Sequence, residues 1–78
     1  MSGPTEALVR RIVADLAELD EADLSVDTTF REVGIDSLLA MEIAVHVENA
    51  AGVEFGEHDL KDVTTIGDLV ALTQRHLG

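Results

Sequence analysis

The chain predicts a small all-α bundle of three main helices plus one short helix, and three observations carry that prediction. Its 78 residues are 46% hydrophobic with two Phe and neither Tyr nor Trp, so the core has to be built from Leu, Val, Ile and Ala. Apolar residues recur at helical spacing in three separate stretches. No stretch alternates with period two, and there is no internal repeat or low-complexity tract. A chain this short has room for one domain, taken over residues 1–78.

Pro4 suits the first turn of a helix, with Ser2 or Gly3 before it as cap. Ala7, Leu8, Ile12, Leu16 and Leu19 then supply an apolar side, so the first helix is expected from Pro4 to Leu19, ended by the charged run Asp20, Glu21, Ala22, Asp23. The long connection beyond it contains isolated apolar residues, Leu24, Val26, Phe30 and Val33, which are expected to pin it to the core. A loop this long in so small a domain points to a function. The second helix is expected from Ser37 to Ala51, where Gly52 can take the left-handed conformation that closes a helix. Val53 to Gly56 reads as an extended link and Glu57 to Lys61 as one or two helical turns. Thr65, with Asp68 three residues on, forms a capping box with Asp in place of Glu and opens the last helix, which carries Ile66, Leu69, Val70, Leu72, Thr73 and Leu77.

Sixteen acidic against five basic side chains give a formal net charge of −11, which repels phosphate backbones and anionic lipid heads. Nucleic acid and membranes are therefore not expected as partners; proteins with basic patches are, met by electrostatic steering. Without cysteine there is neither a disulfide framework nor a thiolate metal site. The start MSGPTEALVRR lacks the layout of a signal peptide, and no apolar run approaches the roughly 20 residues that span a bilayer, so the expected location is the cytoplasm. An excised domain of a larger protein is the alternative to a standalone protein, which the initial Met and the lack of a Pro- or Ala-rich linker favour; a monomer is expected.

The second helix carries two apolar faces. At about 100° per residue, Leu39, Ile43, Val47 and Ala50 fall on one side, the expected core stripe. Leu38, Met41 and Val45 fall nearly opposite, flanked by Glu42, Glu48 and Asn49. A bundle this small can hardly surround one of its own helices, so the second stripe is expected to be an exposed docking surface rimmed by carboxylates. Met41 favours this, since its unbranched side chain adapts to different partner surfaces. From Asp36 to Asp62 there are seven acidic residues and one basic residue, Lys61.

Ser37 opens that helix, and three readings of it compete. It can be an N-cap, although Ala40 stands where a capping box wants Glu or Gln, and Asp36 can cap as well or better. It can be a hydrolase nucleophile, but the pattern G-x-S-x-G is absent and His46, His58 and His76 are scattered. Those histidines have no metal-ligand spacing either, and the acidic run from Asp20 to Asp27 lacks the glycine of a calcium loop, so no metal is expected. Or it can be a modified serine, where a phosphodiester would lie near the positive end of the helix dipole.

The segment Gly34-Ile35-Asp36-Ser37-Leu38, with Phe30 upstream and Met41-Glu42 downstream, resembles the phosphopantetheine attachment motif of acyl carrier proteins. The resemblance continues through the order of the helices to Thr64-Thr65-Ile66 and Asp68-Leu69, covering nearly the whole chain. It implies that Ser37 bears 4'-phosphopantetheine, with acyl groups held as thioesters on its terminal thiol, and that Asp36 helps present the serine. It also implies that Leu38, Met41, Glu42, Val45 and Glu48 are read by partners: a phosphopantetheinyl transferase, a ketosynthase, an acyltransferase or other acyl-processing enzymes. The protein itself would not be an enzyme. An opening between the second helix and the short one, beside Ile43, Val47 and Leu60, would shelter an acyl chain.

Among the relatives, fatty-acid carriers usually have an acidic residue in the position of Leu39 and alanine in that of Ile35, while peptidyl carriers usually have glycine at Ile35. The run from Asp36 to Glu42 is most similar to discrete polyketide carriers, which implies a polyketide or hybrid pathway, although Gly56 stands where proline is common there. The alternatives are a peptidyl, aminoacyl or fatty-acid carrier and, from a different class, an acidic helical adaptor without a prosthetic group.

Overall fold

The computed structural model describes residues 3–77 and contains four helices: α1 (Pro4–Ala17), α2 (Ser37–Ala51), α3 (Glu57–Lys61) and α4 (Ile66–Leu77). Helices α1, α2 and α4 pack on one another around Val9, Val13, Ile43, Val47, Ile66 and Leu69, all at most 1% exposed. Among the described residues there is no strand, and no helix is long and apolar enough to cross a membrane.

Helix α1 ends two residues earlier than its periodicity suggests. Glu18 takes a left-handed conformation (φ 55°), and the amide of Leu19 then donates to the Ala14 carbonyl at 2.9 Å, closing the helix and turning Leu19 onto the core. Gly3 is the residue at the N-cap; Ser2 lies outside the described residues. The innermost line of α1 is Val9 and Val13 with Ala14, while Leu8, Ile12 and Leu16 are half-buried and Ala7 is exposed. The helix is wedged between α2 and α4, so the middle of its broad apolar arc, rather than the edge that the spacing picked out, goes deepest.

The connection from α1 to α2 is far more ordered than a bare loop. A 3₁₀ turn at Glu21–Asp23 is capped by Asp20, whose Oδ1 accepts from the Ala22 amide, and is tied to α1 by Arg10 donating to the Glu21 carbonyl. The next stretch runs beside the start of α4: the amides of Phe30, Ile66 and Gly67 donate to the carbonyls of Thr64, Thr28 and Val26 at 2.9 to 3.0 Å, with one isolated antiparallel bridge between Thr29 and Thr65. Leu24 and Phe30 are buried and Val33 is half-buried, as expected of anchors. Val26 is 39% exposed and anchors through its carbonyl instead. A Cβ built on Gly67 would lie 2.7 Å from that carbonyl oxygen, so only glycine allows the approach.

Helix α2 has the expected bounds and ends at Gly52 in the left-handed conformation. Its buried residues are Ile43, Ala44 and Val47, with Ala40 and Ala51 half-buried and Ala50 exposed. Of the expected stripe, Ile43 and Val47 are buried and Leu39 is half-buried against the core, while Ala50 is exposed; burial extends instead to Ala40, Ala44 and Ala51, because α2 also turns its alanine side toward its neighbours. At α4 the capping box forms in full: the Thr65 amide donates to Asp68 Oδ2 and the Asp68 amide to Thr65 Oγ1, both at 3.0 Å. Ile66, Leu69, Val70, Leu72 and Thr73 are buried, the Thr73 hydroxyl donating to the Leu69 carbonyl. Leu77, expected in the same stripe, is 52% exposed, since the last turn of α4 runs past the end of the core.

Candidate functional site

The chain reaches Ser37 through a second 3₁₀ turn at Arg31–Val33, and its start is stapled by a capping box that helical periodicity does not reveal. The Thr29 amide donates to Glu32 Oε1 at 2.6 Å and the Glu32 amide to Thr29 Oγ1 at 3.1 Å. The pattern T-x-x-E at 29–32 was the signal for it. Gly34 then reverses the chain at φ 78°, where an L side chain is strained, and the Ile35 amide donates back to the Phe30 carbonyl. Ile35 is 6% exposed and forms part of the core cluster. This buried isoleucine, flanked by exposed Gly34 and Asp36, fixes where the next residue emerges.

Asp36 is the N-cap of α2, its Oδ1 accepting from the Leu39 amide at 2.8 Å. Ser37 is thereby released from capping. It occupies the first helical position, is exposed, and among the described residues its hydroxyl has no hydrogen-bond partner. Beside it opens a groove of about 1260 Å³ between the 29–37 segment, α2 and α3. Phe30, Ile35, Ala40, Ala44, Leu60 and Leu69 give its apolar wall. Leu60 lies where the sequence placed it, whereas Ile43 and Val47 face the helix core and do not line the groove.

Leu38, Met41 and Val45 are exposed at 69, 59 and 47%, and together with Glu42 and His46 they line a shallow depression on the outer side of α2. His46 belongs to this patch by position, four residues after Glu42. Glu48 is set differently: its Oε2 accepts from the Phe55 amide at 2.7 Å, so this carboxylate fastens the link between α2 and α3. Seven residues separate the two, and helical spacing gives no sign of the contact.

Helix α3 is held mainly at its N-terminal end. Asp59 Oδ2 accepts from the Gly56 amide at 2.8 Å and lies 3.2 Å from His76 Nε2, while the His76 ring meets Phe55 edge-on at 5.4 Å. The Gly56 amide first, and then His76, hold the Asp59 carboxyl below the ordinary aspartate range. Asp68 is lowered likewise, by the amides of Thr64 and Thr65.

An exposed serine with a free hydroxyl, set at a helix start and next to an apolar groove, suits a bulky covalent substituent. A family model described as a phosphopantetheine attachment site matches residues 7–73. The chain is 37% identical over 71 residues to polyketide-8 synthase acyl carrier protein 2 of Streptomyces avermitilis, spanning 90% of this chain and 82% of that one. It is 36% identical over 66 residues to an acyl carrier protein of Rhodococcus erythropolis, spanning 83% and 72%. It also matches the non-reducing polyketide synthase rdc1 of Metacordyceps chlamydosporia at 37% over 65 residues, 83% of this chain but 3% of that far longer protein. The family model spans most of the chain and the relatives match most of its length, and the chain belongs to the acyl carrier proteins, which carry covalent 4'-phosphopantetheine.

Proposed function

We propose that residues 1–78 form one carrier domain in which Ser37 receives the 4'-phosphopantetheine arm, and that the domain ferries acyl intermediates of a polyketide or hybrid pathway without catalysing any step. The observation that carries this reading is the division of labour at the start of α2: Asp36 caps the helix, and the Ser37 hydroxyl stands free and exposed. The arm supplies a terminal thiol that holds cargo as a thioester. Everything else falls to the chain. Asp36 fixes the first turn and so the direction in which Ser37 faces a transferase. Leu38, Met41 and Val45 give partners an apolar contact, with Glu42 as an anionic rim for basic docking patches; Glu48 acts from beneath, by holding the link to α3.

A small patch with a charged rim favours binding that exchanges readily, as a carrier visiting a transferase, an acyltransferase and a ketosynthase in turn requires. Tethering turns a diffusing acyl group into one held at high effective concentration near each active site. The polyketide assignment draws on the relatives from Streptomyces and Metacordyceps, both of them polyketide synthase proteins. A carrier for a different acyl pathway is the second reading, favoured by the nearly equal identity to the Rhodococcus protein, and loading assays with malonyl, aminoacyl and aryl donors separate the two.

Intact mass spectrometry tests the attachment. Incubation with coenzyme A and a broad-specificity phosphopantetheinyl transferase should add one phosphopantetheine to the wild type and none to Ser37→Ala. An unmodified wild type would leave only an acidic helical adaptor.

A further inference from the structure

Among the described residues, two cations on the rim of the Ser37 groove have no partner. Arg31 starts the 3₁₀ turn before Gly34, Lys61 ends α3, and both line the groove that Asp36 and Ser37 border. With 16 acidic side chains for five basic ones, a cation in this protein has carboxylates in large excess. Arg10 reaches Glu6 and the Glu21 carbonyl. Among the described residues Arg31, Lys61, Arg11 and Arg75 form no ion pair or side-chain hydrogen bond, and of these only Arg31 and Lys61 line the groove, together with Asp36 and Glu57.

Arg31 and Lys61 are the cations among the groove's lining residues, so they are the positive charge at hand for an anion on Ser37. A phosphodiester there would enter an acidic molecule directly beside Asp36, whose carboxylate already occupies the capping amide of Leu39. The helix end alone, with its N-cap position taken by a carboxylate, offers that anion little more than the dipole. We propose that Arg31 and Lys61 are positioning residues that hold the phosphodiester of the arm, directing the root of the arm over the groove. Both side chains are long and exposed, so the contact is electrostatic, weakens with salt and yields readily to a partner.

The inference rests on attachment at Ser37, and the test separates the two. The adduct is first verified by intact mass, and the holo protein is then followed by ³¹P NMR at about 0.01 M and about 1 M salt, where the screening length falls from roughly 30 to roughly 3 Å. The wild-type phosphodiester resonance should move between these conditions. The movement should be lost in the Arg31→Gln, Lys61→Gln double variant and retained in Arg31→Lys, Lys61→Arg. It should also be retained in Arg11→Gln, which removes an exposed cation that does not line the groove. A double variant that keeps the wild-type movement, or an Arg11→Gln that loses it equally, would overturn the proposal alone. A wild type that takes no adduct would overturn the attachment and this inference with it.

Discussion

Ile43 and Leu38 lie five residues apart on α2 and are both aliphatic, yet Ile43 is fully buried and Leu38 is 69% exposed. The comparison extends to the two sides of the helix: Ile43 and Val47 belong to the core around which α1, α2 and α4 pack, while Leu38, Met41 and Val45 meet solvent. Residue chemistry does not separate them; the number of helices available to cover them does. With three main helices the bundle can cover one side of α2, so the apolar residues on the other side are available to something outside the chain.

The strongest way to break the comparison is from the buried side. Ile43→Ala should destabilise the fold by about 2–5 kcal/mol, a large part of what so small a domain has in total, and urea denaturation followed by circular dichroism should show the midpoint collapse. Next is the loop that presents Ser37. Gly67→Ala places a Cβ against the Val26 carbonyl and should cost about 1–3 kcal/mol of strain, more than the roughly 1 kcal/mol that alanine gains in helix propensity. A variant with a raised urea midpoint would show that the loop yields there and that α4 does not set its position.

Thr65→Ala should cost about 0.5–2 kcal/mol through the lost cap of α4. The same box has a pH signature. Because the amides of Thr64 and Thr65 hold the Asp68 carboxyl below its ordinary value, its contribution is fully present above the unfolded pKa of about 3.9 and is lost as pH falls through the lower folded value. Urea midpoints across the acid range should fall less steeply in Asp68→Asn than in the wild type.

Legibility in the sequence followed the range of the interaction. The bounds of α2, the Thr65–Asp68 box and the solvent side of Leu38, Met41 and Val45 depend on residues within one or two turns, so periodicity and capping chemistry reach them. The end of α1 depends on a glutamate in a conformation usually left to glycine, which gives no compositional sign. The 3₁₀ turns span three residues each, too few to establish a period. Ala44 in place of Ala50, the carbonyl of Val26 beneath Gly67 and the carboxylate of Glu48 on the Phe55 amide are tertiary outcomes, decided by which helix comes to lie against which. At the candidate site, the cap by Asp36 and the exposure of Ser37 were legible from capping chemistry within one turn. The pairing of Arg31 with Lys61 was not, because the two are far apart in the chain and share only the lining of the groove.

The smallest expected change in stability belongs to the outer side of α2 and tests the central claim most directly. Leu38→Ala should leave the urea midpoint within about 0.5 kcal/mol of the wild type. In the same protein, kcat/KM for phosphopantetheine transfer should fall about tenfold, the size of effect an interface anchor gives when truncated. An outer stripe that serves partners predicts that separation. A Leu38→Ala protein that loses stability like a core variant, or is modified as fast as the wild type, would contradict it.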